Sequence, residues 1–238
     1  MSIRVQIHKD ISGLIKNFPN LAYSNDFFCF KEKRYGLDTG FLMIYKDEVL
    51  FGLVPVNYSK TKLYSLHKDY VEPYFVGNDC EINWRDVAEA IKKEEGFKYC
   101  EFRFVFINNK LVATKSLKQT SLVAFFLQID PAQRWEEFFK KFDKKARNQI
   151  RKAEKVGFVT KIIGIELIDQ IYSLYVENMR RHSTPPKPFS FFQDMFSCFG
   201  DNCIVIALFD RDILAGVNVV QLNGGYMRLT FNLSRTEY

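Results

Sequence analysis

Long hydrophobic runs, paired cysteines and clustered histidines are all missing from this chain of 238 residues. No apolar stretch approaches the roughly 20 residues that cross a bilayer, so no transmembrane segment is expected. Cys29, Cys80, Cys100, Cys198 and Cys203 contain no CxxC pair and are odd in number, and "MSIRVQIHKD" does not read as a secretory signal. Free thiols in a reducing, cytoplasmic compartment are the simple expectation. His8, His67 and His182 are scattered without ligand spacing, so no metal site is expected. What the chain has in quantity is apolar matter: 47% hydrophobic and 16% aromatic, enough to build one large core or two small ones.

Charge is local. Residues 134–155 hold nine basic and four acidic side chains, +5 of a net +6. A confined basic face points to a polyanionic ligand, and the absence of any recognised motif or aromatic–basic interleaving argues against DNA.

A shift of 164 positions aligns "FFCFKEKRYGLDTGFLMIYKDEVLFGLVPVNY" (27–58) with "FFQDMFSCFGDNCIVIALFDRDILAGVNVVQL" (191–222) without a gap. Six positions are identical, among them Gly36/Gly200 and Gly52/Gly216. Both stretches read as a helix opened by a Phe pair, a Gly stop, an apolar strand, a charged turn and a second strand. Each is preceded by a strand and a helix ("IRVQIH", "DISGLIKNF"; "FVTKIIGI", "ELIDQIYSLYVENMRRH"). Each is followed by a third strand, "KLYSLHKDYV" or "GYMRLTFNLS". The first copy continues through "NWRDVAEAIKKEEG", a helix with Trp84, Val87, Ala88 and Ile91 on one face, and the strands "KYCEFRFVFI" and "SLVAFFLQI". Matching Tyr238 to Tyr74 leaves the second copy short of about 60 residues by its own template. Its third strand would then have an unpaired edge and its sheet an uncovered face, features that favour association.

Between the copies, Trp135, Phe139, Phe142, Ala146, Ile150 and Ala153 recur at steps of three or four. Pro131 suits a helix start and Gly157 a left-handed cap. The expectation is one helix over 131–157, a rod of about 37 Å bridging two domains. Most of its lysines read as a solvated face. Arg147 and Arg151, four apart, repel each other unless an anion lies between them, and arginine grips phosphate bidentately.

The run Arg147-x-x-Ile150-Arg151-Lys152-Ala153-x-Lys155-x-Gly157 resembles the "RxxIRKAxKxG" signature of Fem-type peptidoglycan-bridge aminoacyltransferases. Tyr175, Arg180-Arg181, Thr184-Pro185-Pro186, Pro188 and Phe191-Phe192 resemble the family's "Y…RR-G-TP-P-FF" segment, with Ser183 where glycine is common, so a different turn is expected there. The resemblance implies an α/β fold of mixed, largely antiparallel sheets with helices. It comprises tandem GNAT-like acyltransferase domains joined by the basic helix: 1–130, the bridge 131–157, and an incomplete 158–238. It implies transfer of an aminoacyl or acyl group to an amine of a peptidoglycan or polysaccharide precursor. The acceptor would be a muramyl-peptide nucleotide or a lipid-linked equivalent, met with peripheral membrane contact. No cofactor is bound permanently; aminoacyl-tRNA or acyl-CoA is the co-substrate. The loop "VGNDCEINW" lacks the glycine pattern for CoA, and Asp79 and Glu81 repel a pyrophosphate. A conventional CoA site is therefore not expected in copy one, and in copy two that loop would lie beyond Tyr238.

Arg147, Arg151, Lys152 and Arg181 are thus the candidate phosphate contacts. Asp69, Tyr70, Tyr226 and Arg228 are candidate groove residues, and His182 is a candidate base beside Arg181. No catalytic residue is assigned. Two other readings stay open: a non-catalytic protein that binds tRNA or another phosphate ligand, and an inactive, truncated relic.

Overall fold

The computed structural model describes residues 2–11, 23–65, 71, 73–76, 82–104, 130, 132–223 and 226–237. It is a mixed α/β fold with two largely antiparallel sheets. The chain divides into two compact units. One comprises Met1–Ser121, Gln193–Asn202 and Leu222–Met227; the other comprises Leu122–Phe192, Cys203–Gln221 and Arg228–Tyr238.

The first unit runs β1 (Ile3–His8), α1 (Asn25–Tyr35), β2 (Asp38–Lys46), β3 (Val49–Tyr58), β4 (Lys62–Tyr64), β5 (Tyr74–Phe75), α2 (Trp84–Ala90) and β6 (Tyr99–Glu101). Its sheet has the order β1-β2-β3-β4-β6, with β5 also on β3 and only β4–β6 parallel. Helix α1 starts where the Ser24 hydroxyl accepts from Phe27 N at 3.1 Å, and it stops at Gly36 with φ 62°. Its Phe28 ring packs 4.9 Å from Phe41 on one sheet face. Helix α2, capped by Asn83, widens into a π-helical turn at Ile91–Glu95. That turn presents Glu94 and Glu95 to the edge strand, whose Val5 and Ile7 N–H groups donate to them at 2.9 and 3.2 Å. Two edge donors that could pair with another chain are thereby occupied.

Of the third strand, expected as one run over 62–71, β4 pairs with β3 at Asn57 and Tyr58, residues 66–70 lie outside the described residues, and β5 pairs with β3 at Gly52 and Leu53. Phe51 O accepts from Val76 N and Ser59 N donates to Lys62 O, so odd-numbered residues of β3 turn their backbone toward the third strand. Pro55 is one of them and has no N–H to give to that ladder. In the other copy the aligned residue is Val219, and there the third strand is continuous. The expected helix "DISGLIKNF" and strand "SLVAFFLQI" lie largely outside the described residues.

The second unit brings α3 (Trp135–Lys141), α4 (Lys144–Val156), β7 (Val159–Ile163), α5 (Ile168–Arg181), α6 (Phe189–Phe199), β8 (Cys203–Asp210), β9 (Ile213–Asn223) and β10 (Tyr226–Ser234). Its sheet order is β10-β9-β8-β7. Helix α6 spans the two groups, its residues from 193 onward counting with the first.

The repeat is real at the level of single residues. Adding 164 to the bounds of α1 gives those of α6, and Gly200 caps α6 with φ 48° as Gly36 caps α1. The β2–β3 register slips between Ile44 and Tyr45, and that of β8–β9 slips between Leu208 and Phe209, again 164 apart. Phe51 and Ala215 are the extra residues of these bulges. Beside each lies a glycine: a Cβ on Gly52 would meet Tyr74 O at 3.0 Å, and one on Gly216 would meet Leu233 O at 3.1 Å. Leu233, not Tyr238, therefore stands where Tyr74 stands, and the third strands are offset by five residues from the alignment of the hairpins.

The expected single helix over 131–157 is two helices. Phe142 and Asp143 adopt extended backbone, ψ 149° and 163°, and the Asp143 carboxylate accepts from Ala146 N at 2.7 Å. An aspartate that caps a new helix ends the old one. In place of the long rod, α4 measures about 20 Å.

Two thiols are held protonated by the fold. Burial pushes Cys203 up to about 12, and burial followed by the neighbouring Cys29 thiol does the same for Cys198. At pH 8 both are expected to alkylate on the order of 10³-fold more slowly than in the unfolded chain; mass spectrometry of the folded and urea-unfolded protein measures this. The unfolded thiols lose their protons from about pH 9 while the folded ones keep them. Stability should therefore be intact below pH 9 and fall as pH rises toward 12.

Candidate functional site

Helix α4 carries three of the four candidate phosphate contacts, and the break before it decides how they are held. The chain turns at Phe142–Asp143, which brings the end of α3 beside the first turns of α4. Arg147 is half-buried and its Nη1 donates to Lys140 O at 2.9 Å. Arg151 is exposed, with its guanidinium 5.4 Å above the Phe139 ring. The two cations thus brace α4 against α3, one on an orphan carbonyl near the end of a helix and one on an aromatic face. Mutual repulsion is offset without any anion, a compensation that the spacing alone did not reveal. Lys152 is exposed and, with Lys144, Lys145, Asn148 and Gln149, lines an open depression of about 440 Å³ along one side of α4. Four of those five groups carry N–H donors on long side chains, and no carboxylate is among them, so the face suits an anion.

Beneath these cations, Trp135, Phe138, Phe139 and Phe142 form an aromatic cluster, with Phe138 and Phe142 5.1 Å apart and Trp135 and Phe139 5.6 Å apart. No residue of α3 or α4 is buried, and Trp135 remains 55% exposed.

The fourth candidate, Arg181, belongs to a different arrangement at the end of α5. Asn178 is 3% exposed; its Nδ2 donates to Leu174 O and to Ser234 O, both at 2.8 Å. Its Oδ1 accepts from Ser234 N at 3.3 Å and from Arg181 Nη2 at 2.6 Å. Arg181 also donates to Ser234 O and Thr236 Oγ1. Asn178 and Arg181 therefore lock the end of β10 onto α5. Sequence reasoning did not reveal this role; an amide at helical spacing from Ile171, Leu174 and Tyr175 was the available signal, since a buried amide requires partners.

Ser183 follows with φ 52°, the left-handed conformation that glycine adopts more readily. Thr184 N closes the turn on Met179 O at 2.9 Å. The loop Thr184–Pro188 is exposed and is pinned at Lys187: its N donates to Tyr175 Oη at 2.9 Å, and its carbonyl accepts from Tyr172 Oη at 3.1 Å. Tyr175 in turn packs on Phe192 and Phe231, at 4.9 and 5.3 Å. The tyrosine, prolines and Phe pair of the motif thus form one structural unit around an exposed Arg180-Arg181-His182 corner.

Tyr226 and Arg228 lie exposed at the start of β10. Asp69 and Tyr70 lie outside the described residues, as does most of the "VGNDCEINW" loop. Among the described residues, no group of three or more His, Cys, Asp or Glu could hold a metal ion. No helix among them is long and apolar enough to cross a membrane.

Residues 112–215 match the model of the FemAB family. That span contains α3, α4, β7, α5 and α6, with the whole of the motif that braces α4. Among solved structures, "Crystal structure of FemX" is similar over 94% of this chain and 81% of that one, with a TM-score of 0.63 at 11% identity. No curated protein matches the chain. The chain is thus similar to the FemAB family over residues 112–215 and shares the fold of FemX over most of its length.

Two substitutions test the α5 end. Ser183→Gly removes a left-handed strain of roughly 1–2 kcal/mol but adds unfolded-state freedom, so stability should rise by up to about 1 kcal/mol. Asn178→Ala leaves Ser234 N without its acceptor and removes a partner from Ser234 O and Arg181, and should lower stability by about 1–3 kcal/mol. Urea unfolding followed by circular dichroism measures both.

Proposed function

We propose that the chain is a Fem-type acyltransferase that moves an aminoacyl or acyl group onto an amine of a peptidoglycan or polysaccharide precursor. The family match over residues 112–215 carries this reading, because it covers the basic helix and the α5 corner together. The donor is an aminoacyl-tRNA or an acyl-CoA. The acceptor is a muramyl-peptide nucleotide or its lipid-linked form, reached from the cytoplasm with peripheral membrane contact. The segments 1–130 and 158–238 are read as GNAT-like domains joined in the chain by α3 and α4. In the reaction, the neutral amine attacks the ester or thioester carbonyl, a C–N bond forms, and the C–O or C–S bond breaks. The amine proton leaves, and the tRNA hydroxyl or CoA thiol departs. Such chemistry needs positioning and carbonyl polarisation more than a covalent intermediate. Arg147, Arg151 and Lys152 are assigned to donor or acceptor phosphates, and Arg181, already anchored to β10, to orienting the corner beside it. Tyr226, Arg228, Asp69 and Tyr70 are assigned to the groove walls, and His182 is the candidate base at this corner.

The test is transfer of labelled amino acid from charged tRNA, or of a labelled acyl group from acyl-CoA, to a muramyl-pentapeptide nucleotide. Product from either donor supports the reading and names the donor; no product from both removes it. Binding should weaken at least tenfold in Arg147→Ala/Arg151→Ala, with folding checked by circular dichroism; unchanged affinity would return both side chains to the α3–α4 brace alone. The unburied basic face of α4 also favours a second reading, a non-catalytic tRNA-binding protein. It requires steeply salt-dependent tRNA binding without transfer. A relic would show neither.

A further inference from the structure

Two cysteines that the repeat does not account for face each other where α1 packs on the end of α6. Gln193–Asn202, the later turns of α6 and the turn that follows, belong with α1 in the first unit. Three contacts set the register, and they run in opposite directions along the two segments. Asn202 Nδ2 donates to Asp26 Oδ2 at 2.8 Å. The Phe30 and Phe199 rings are 6.2 Å apart, and Lys33 Nζ donates to Ser197 Oγ at 3.1 Å. Cys29 adjoins Phe30, and Cys198 lies between Ser197 and Phe199, so this register sets one cysteine against the other. Their thiols are in hydrogen-bonding contact. Cys29 is exposed, Cys198 is half-buried, and both are free. Under the 164-residue shift their counterparts are Gln193 and Arg34, so the fold shared by the copies requires neither thiol.

We propose that Cys29 and Cys198 form a reversible redox site, closed to a disulfide by small-molecule disulfides such as oxidised glutathione and reopened by thiols. The exposed Cys29 reacts first. Its thiolate attacks one sulfur of the oxidant, a mixed disulfide forms, and one small thiolate leaves. Cys198 then gives its proton to solvent, its sulfur attacks Cys29 Sγ, and the second small thiolate leaves. The pair loses two electrons and two protons; the oxidant gains the electrons and, once protonated, becomes two thiols. Burial keeps Cys198 protonated, with the Lys33 ammonium favouring its thiolate and Asp194 opposing it, so the second step is the slower one. The bond closes a long loop of chain and ties α1 to α6, whose first turn sets Phe192 on Tyr175.

The test incubates the reduced full chain with oxidised glutathione at mildly alkaline pH and maps it by non-reducing mass spectrometry. Expected are a transient glutathione adduct on Cys29, then a peptide cross-linked between Cys29 and Cys198 within one chain. The oxidised protein should unfold at higher urea than the reduced one, and dithiothreitol should reverse the shift. Cys198→Ser should stop at the Cys29 adduct, and Cys29→Ser should leave Cys198 unmodified. Both changes are nearly isosteric, and circular dichroism checks that each variant folds. A lasting Cys29 adduct in the unsubstituted chain, no reaction, a disulfide between two chains, or pairing with Cys80, Cys100 or Cys203 would overturn the inference. So would a cross-link that appears only after urea unfolding, because the fold would then not supply the pairing.

Discussion

The repeated bulged hairpin sets the positions of nearly everything else. One extra residue, Phe51 or Ala215, faces the partner strand without a mate, and the slip it introduces falls at the same place in β2–β3 and β8–β9. Because a strand shows alternate faces at alternate residues, such an insertion exchanges the in and out sides of everything beyond it. The pattern of core residues along each hairpin is right only with the bulge in place. The glycine after it, Gly52 or Gly216, then lets the third strand's carbonyl approach to about the distance a Cβ would occupy. Bulge, glycine and third strand form one geometric unit, and both copies keep it although few of their other residues agree.

That economy explains what could be read in the sequence. Five of the six identities, Phe27/Phe191, Phe28/Phe192, Gly36/Gly200, Leu50/Leu214 and Gly52/Gly216, fall on a helix entry, a helix cap and the bulge, where only particular residues fit. They survived divergence that erased the rest, so two strands and a helix could be placed to the residue. The third strands could not, because their pairing differs: Tyr74 O approaches Gly52 in one copy and Leu233 O approaches Gly216 in the other. The offset of five residues between them followed from that pairing and had no signature in the aligned segment.

The basic segment shows the opposite failure. Trp135, Phe139, Phe142, Ala146 and Ile150 keep helical spacing through the break, because a corner between two helices can preserve one seam across both. Spacing alone therefore read one helix. Asp143 was the counter-signal: a short acid followed by a basic helix is a good N-cap wherever the chain is free to start one. The corner has a further consequence. It creates the contacts of Arg147 with Lys140 O and of Arg151 with Phe139, which a straight helix could not make, since its carbonyls would be spent internally. At the α5 corner the same limit applied to Asn178, legible as a buried amide but not as the clasp on Ser234.

These contacts bear on how an anion would bind. A guanidinium has five N–H donors, and Arg147 commits one of them to Lys140 O, which leaves its outward edge available. Arg151 lies over a ring face, an arrangement that holds the plane of the cation while leaving its in-plane donors free. Bracing and phosphate binding are therefore compatible, and the first assists the second. A side chain already fixed against α3 loses less rotational freedom when a ligand arrives. Lys152 and its neighbours, with no comparable contacts, supply long-range attraction that salt screens, while the two arginines supply the geometry that salt does not remove. The corner between α3 and α4 would thus offer an anion a fixed centre and a diffuse rim within a stretch of surface charge.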